Sequence, residues 1–250
     1  NPEHSMRVVR LYTHQHLAPD LELELENEIR HYALNVLRLN KRSLLKLFNG
    51  DGCDYACEIL DCTKTVFRVN ILEKLALHNE SPLATYLYLG ISKSSHMDYA
   101  IQKVVEAGVT NIHPILTERT ISKTTEKSAG NKHQHWQRII HGACEQCGRA
   151  VIPKLSPISE FDEIESLKEN EYGLMLDANS KQTMNSLDIS NRSSIKLLIG
   201  AEGGFTENET ELALQKGFQT VRCGPRILRT ETAALTAVLT VQLKWGDLNA

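Results

Sequence analysis

Ile195-Lys196-Leu197-Leu198-Ile199-Gly200-Ala201-Glu202-Gly203-Gly204-Phe205 is the stretch on which the fold turns. Its first part, Ile195–Ile199, is a short apolar run of the kind that a parallel sheet buries on both faces. Its second part sets three glycines directly beyond that strand. Glycines there let backbone come very close to a ligand at the C-terminal edge of an open α/β sheet, where such sheets bind ligands. The same residues also read as a tight turn with a solvent-exposed Glu202, since glycine turns are common.

Working outward, the chain alternates strand and helix. Thr206 and Glu209 form a capping box that opens a helix ending at Gly217, Gln219–Cys223 is the last strand, and Thr230–Trp245 is the last helix. Upstream, Gly173–Asp177 is a second buried run. Trp136, Ile139, Ile140, Ala143, Cys144 and Cys147 recur at helical spacing, with Gly148 as the stop. Thr120–Lys132 is polar and reads as a loop. Asn111–Leu116 and Tyr86–Ile91 read as strands, joined by a helix capped at Ser95 with Asp98 three residues on. This alternation predicts an α/β domain with a mainly parallel sheet over residues 83–250.

Residues 6–77 have another rhythm. Arg7–Leu11, Leu21–Leu25, Leu44–Phe48, Tyr55–Leu60 and Val66–Leu72 read as short strands, with one helix near Glu26–Leu39 and a turn at Asn49-Gly50-Asp51-Gly52. A small β-barrel or sandwich is predicted, and His78-Asn79-Glu80-Ser81-Pro82 marks the boundary. Residues 1–5 read as a remnant of recombinant expression ahead of a native start at Met6.

Composition excludes several classes. The 250 residues carry 28 Lys+Arg against 31 Asp+Glu, so a nucleic-acid partner would have to use a local basic patch. No stretch approaches the ~18 apolar residues of a membrane span, and no signal peptide is seen. Of the six cysteines only Cys144-x-x-Cys147 has metal-like spacing. It lacks a second pair and lies on an apolar helix stripe, so no metal is expected and a reducing cytoplasm fits. The dinucleotide fingerprint is absent too, because the run after Ile91 is Ser-Lys-Ser-Ser-His.

The second strand-to-loop junction is Cys223-Gly224-Pro225-Arg226-Ile227-Leu228-Arg229-Thr230-Glu231-Thr232-Ala233. Gly-Pro bends the chain after a strand, and two arginines then precede a helix N-terminus, where a cation is disfavoured by a few tenths of a kcal/mol. Residues set against a local preference are candidates for function; the alternative is that each arginine reaches water or pairs with Glu231 or Glu202. The helix from Ala233 to Leu243 is apolar nearly all round and needs cover from its own core or from a second subunit.

Together, Gly200-x-Glu202-Gly203-Gly204 and Gly224-Pro225-Arg226-Ile227-Leu228-Arg229-Thr230-Glu231-Thr232-Ala233 resemble the RsmE family of ribosomal RNA methyltransferases, within the SPOUT superfamily. The helix Met97–Val109, Thr117-Glu118-Arg119, Cys144-Glu145-Gln146-Cys147-Gly148-Arg149, Arg38 in Val36-Leu37-Arg38 and the closing Gly246-Asp247-Leu248 are similar to further family segments. One departure is Ala201, where the family usually has Pro; a slightly looser turn is expected, because Pro would pre-set φ.

The resemblance implies an N-terminal PUA-like RNA-binding β-barrel, a C-terminal SPOUT domain with a deep trefoil knot, and a cytoplasmic homodimer. It implies S-adenosyl-L-methionine as the cofactor and N3 of one uridine in 16S rRNA, position 1498 in the family's numbering, as the target within the small ribosomal subunit. Leu176, Ile199 and Leu228 would wall the adenine. Backbone at Gly200, Ala201, Glu202, Gly203, Cys223, Gly224 and Ile227 would bond its edges and the ribose. Arg229, with Arg226, would meet charge on the uracil carbonyls, while Glu231 or Glu202 would accept the proton or orient the arginines. Arg7, Arg10, Arg38, Lys41 and Arg42 form the candidate RNA patch, joined by Lys93, Arg119 and Arg149; a solvated basic face is the competing reading. A 2′-O-ribose methyltransferase and a non-catalytic RNA-binding protein remain the alternatives.

Overall fold

The computed structural model describes residues 8–120, 125–189 and 194–249. The chain forms two units, one of residues 1–79 with 144–152 and the other of residues 80–143 with 153–250.

The first unit is built on β1 (Val9–Tyr12), β2 (Glu22–Glu24), α1 (Asn27–Asn35), β3 (Leu44–Phe48), β4 (Cys53–Cys62) and β5 (Phe67–Ala76). The sheet runs β1-β3-β4-β5-β2; β1 pairs with β3 in parallel and every other pair is antiparallel. Alternate residues Tyr55, Cys57 and Ile59 of β4 and Phe67, Val69 and Ile71 of β5 are buried, the period-2 pattern of strands with one face on a core.

Two members of the expected RNA patch are internal in this unit. Arg10 is 11% exposed and forks onto Asp54 at 2.7–3.1 Å, donates to the Cys144 carbonyl at 2.7 Å and stacks over Phe48. Arg149 is 6% exposed, and its carbonyl accepts from Arg10 Nη2. The Arg10 guanidinium, spent on a buried carboxylate and on backbone carbonyls, has no donors left for phosphate, and Arg149 is buried, so both are corrected to residues of the unit's interior.

The second unit begins with β6 (Ala84–Gly90), α2 (Ser94–Glu106), β7 (Asn111–Leu116) and α3 (Glu126–Cys147), whose last turn belongs to the first unit. It continues through β8 (Lys154–Leu155), β9 (Ser159–Glu160), β10 (Glu171–Leu176), β11 (Ser194–Ile199), α4 (Glu207–Gln215), β12 (Gln219–Val221) and α5 (Thr230–Trp245). The sheet order is β12-β10-β11-β6-β7-β8, with β9 also on β7, and every pair is parallel. All six residues of β11 are buried, as a central parallel strand requires. The one charge among them, Lys196, is 4% exposed and paired with Glu171 at 2.9 Å.

Two local expectations are corrected. Ser95 does not cap α2: Lys93 holds that position with no side-chain cap, and its N–H donates to the carboxylate of Glu202 at 3.0 Å. A residue from another loop supplies what Ser95 was expected to supply. The polar stretch 120–132 is not all loop, since α3 starts at Glu126; Thr125 and Ser128 exchange side-chain-to-backbone bonds at that end, which stabilises a first turn otherwise exposed to water. Residues 121–124 lie outside the described residues. Helix α5 takes part of the cover it was expected to need from its own chain. Ala234, Ala237, Val238 and Val241 are buried within the chain, against α2, β6 and β11, whereas Leu239 and Leu243 are 38% and 50% exposed.

Candidate active site

The C-terminal ends of β6, β10, β11 and β12 open onto one cavity of about 1110 Å³, formed within the second unit. Such a volume is ample for a drug-sized ligand. Its floor is the loop after β11. Gly204 sits at φ +67°, a conformation that side chains with a Cβ rarely adopt, and its N–H closes the turn onto the Ala201 carbonyl at 2.9 Å. At the end of β6, Gly90 lies so close that an added Cβ would be 2.4 Å from the Ala201 nitrogen. The glycine turn is thus held against a neighbouring strand and faces the cavity, which separates it from a free surface turn.

Every residue expected to touch the cofactor lines this cavity: Leu176, Ile199, Gly200, Ala201, Glu202, Gly203, Cys223, Gly224, Ile227 and Leu228. Ile199 is fully buried, and Leu176 and Leu228 are half-buried apolar walls. Ile227 is 90% exposed, so only its backbone can serve the site. Gly224 takes φ +81°, and burial pushes the Cys223 thiol up, which keeps it protonated and unreactive. Glycines where a Cβ would intrude, apolar walls and backbone donors suit an adenosine-bearing ligand such as S-adenosylmethionine.

Arg226 and Arg229 line the same cavity and are exposed; Arg229 is the N-cap residue of α5. Among the described residues neither forms an ion pair. The carboxylates expected to hold them face a residue the sequence reading passed over. His96 Nδ1 lies 3.3 Å from Glu202 Oε1 and 3.9 Å from Glu231 Oε2, and His96 itself lines the cavity. Burial raises the Glu202 carboxyl, but the Lys93 N–H, its own N–H and His96 outweigh this and leave it below the usual range. Glu231 Oε2 is buried without a hydrogen-bond partner.

Lys93 and Arg119 belong to this cavity as well. Arg119 donates to the Gly203 carbonyl at 2.7 Å, and an added Cβ on Gly203 would meet its side chain at 2.9 Å, so Arg119 braces the glycine loop. A further brace escaped the sequence reading: Glu209 is buried, closes the Thr206 capping box, and accepts from the Glu118 N–H at 2.9 Å. In the first unit Arg38, Lys41 and Arg42 are exposed, with Arg38 and Arg42 at φ +52° and +70°. Arg7 lies outside the described residues. No cluster of three His, Cys, Asp or Glu that could hold a metal occurs among the described residues, and no helix is long and apolar enough to cross a membrane.

Comparison with known proteins agrees with this geometry. The RNA methyltransferase domain family matches residues 79–242. The ribosomal RNA small subunit methyltransferase E of Buchnera aphidicola subsp. Schizaphis graminum is 35% identical over 244 residues, 97% of this chain and 99% of that protein. A Neisseria gonorrhoeae ribosomal RNA small subunit methyltransferase E, solved bound to S-adenosyl methionine, superposes with a TM-score of 0.89 at 34% identity, over 96% of this chain and 99% of that one. A Legionella pneumophila protein solved with the bound cofactor SAM gives a TM-score of 0.92 at 36% identity, over 97% and 100%. With a family match over well over half its length and full-length relatives above 30% identity, this chain belongs to the ribosomal RNA small subunit methyltransferase E family.

Proposed function

We propose that this protein transfers the methyl group of S-adenosylmethionine to N3 of a uridine in the 16S rRNA of the small ribosomal subunit, uridine 1498 in the family's numbering. The observation that carries the reading is a cavity in which a glycine loop and two arginines without ion-pair partners among the described residues meet at the C-terminal sheet edge. The cofactor supplies a methyl already activated on a sulfonium. Leu176, Ile199 and Leu228 would wall the adenine, and backbone at Gly200–Gly203 and Cys223–Ile227 would fix its edges and the ribose.

The chain's own work is then to make the uracil nucleophilic. As N3 loses its proton, negative charge spreads onto the flanking carbonyl oxygens, and Arg229, with Arg226 beside it, would meet that charge as a fixed donor. The target base must be unpaired for its N3 edge to enter the cavity. Arg38, Lys41 and Arg42 are the remaining RNA patch of the first unit. Two of the three hold left-handed backbone, a local strain that favours a binding role over a merely solvated face.

The same reading includes a PUA-like barrel, a trefoil knot, a homodimer and action in the cytoplasm. The barrel is supported by the five-stranded sheet with bulges in the β4–β5 pair. The knot is supported by the chain's return from edge strand β12 to pack α5 on central β11 and β6. The dimer is supported by the exposed Leu239 and Leu243. The reading is tested by supplying methyl-labelled S-adenosylmethionine with purified small or large ribosomal subunits. Label in small-subunit RNA is expected; no label in either RNA would overturn the assignment.

A further inference from the structure

We propose that His96 removes the N3 proton of the target uridine, with Glu202 and Glu231 orienting its ring. This rests on the reading of the cavity as a uridine methyltransferase site.

The geometry favours His96 over either carboxylate. Of the carboxylates in and around the cavity, Glu202 and Glu231 turn to one imidazole nitrogen, at 3.3 and 3.9 Å, rather than to an arginine. A Glu202 carboxylate at hydrogen-bond distance can only accept, which requires a hydrogen on Nδ1, fixes the tautomer and leaves the lone pair on Nε2, while Glu231 at 3.9 Å contributes charge rather than a hydrogen bond. No described residue bonds Nε2, and the side chain is 28% exposed where it lines the cavity. Glu202 is already committed to the Lys93 N–H and to His96, and the bonds that hold its carboxyl low make it a weak base. Glu231 turns a buried oxygen, Oε2, toward His96, where it can stabilise a cation on the ring. An imidazole whose far nitrogen is held by a carboxylate is a recurring solution to proton removal.

The step balances as follows. N3 forms a bond to the methyl carbon as the carbon–sulfur bond breaks and its electron pair stays on sulfur, giving S-adenosylhomocysteine. The N3 proton passes to Nε2, and the imidazolium sits between two carboxylates until it releases the proton to water. The other charged groups sharing the cavity are Lys93 on the same helix, Arg119 from the loop after β7, Glu207 and Glu211 of α4, Asp177 beyond β10, and Arg226 and Arg229 ahead of α5. Glu202 and Glu231 are the carboxylates that face the imidazolium once it forms.

The test compares the full-length protein with His96→Gln and His96→Ala on small ribosomal subunits, alongside calorimetry with S-adenosylhomocysteine. His96→Gln is expected to lower kcat by at least about a hundredfold, the usual contribution of a general base, with S-adenosylhomocysteine affinity within about threefold. Wild-type kcat should fall tenfold per pH unit on the acid side, because a protonated imidazole accepts nothing, and His96→Gln should lose that limb. Added imidazole should restore part of the His96→Ala rate. Nitrogen NMR of the wild type gives a readout independent of turnover and of variant folding: in the neutral form of the ring, the hydrogen is expected on Nδ1. Retained rate and acid limb in His96→Gln, a rate loss matched by cofactor loss, or hydrogen on Nε2 would each overturn the proposal. A wild type that methylates no ribosomal RNA would instead sink the functional reading beneath it.

Discussion

Replacing Gly90 by Ala tests whether the sheet sets the shape of the cofactor loop. The new Cβ would lie 2.4 Å from the Ala201 nitrogen and 2.8 Å from the Gly200 carbonyl carbon, against 3.4 Å for the start of ordinary contact. Both obstacles are backbone, so no side chain can swing aside. The loop after β11 must retreat by about 1 Å, because overpacking of this kind relaxes only through backbone shifts costing ~1–3 kcal/mol. For a chain of this size that cost corresponds to a fall in melting temperature of roughly 2–4 °C per kcal/mol. A displacement of about 1 Å at the site is expected to weaken S-adenosylhomocysteine binding by one to two orders of magnitude. Calorimetry and thermal melting of the same sample measure both. Gly142→Ala is the internal control: nothing lies within 4 Å of its Cβ, it sits inside α3, and it should stabilise by about 0.5–1 kcal/mol with unchanged ligand affinity. Wild-type affinity and melting in Gly90→Ala would refute the close approach as the loop's constraint.

Arg229→Ala should lower kcat about a hundred- to thousandfold while S-adenosylhomocysteine affinity stays within a fewfold, and Arg229→Lys should recover little, since an ammonium lacks the planar fork. Loss of affinity in step with rate would end its assignment to the uracil charge. Leu243→Asp, on the exposed face of α5, should lower dimer content in light scattering; Val238, buried in its own chain, cannot serve that test, and an unchanged dimer would move the interface elsewhere. Burial pushes His113 and His141 down to about 4 from the ordinary 6.5. The unfolded chain therefore binds more protons between those values, so stability is full above pH 6.5 and falls toward pH 4, on the order of 2 kcal/mol per histidine after allowing for residual solvent. Equal urea midpoints at pH 7 and pH 5 would contradict it.

What the sequence made legible follows from the range of each interaction. The bounds of α5 and the capping box at Thr206 were readable because Gly-Pro, the cap pair and the closing glycine lie within a few residues of what they control. The mainly apolar run of β11 announced a parallel sheet without knowledge of its neighbours. The failures are long-range. Arg10 looked like a free cation because Asp54, its partner, is 44 residues away in sequence. Ser95 looked like a cap because Glu202, which meets that helix start, is 109 residues from Lys93. His96 carried no signal at all: a lone histidine in a polar run becomes notable only when two carboxylates from distant segments face it.

Methylation at N3 of one uridine is read out by nucleoside mass spectrometry of 16S rRNA after reaction with the wild-type protein, S-adenosylmethionine and unmethylated small subunits. A single new 3-methyluridine mapped to one position is expected. A 2′-O-methylated nucleoside, or RNA bound tightly but left unmodified while cofactor is retained, would contradict it.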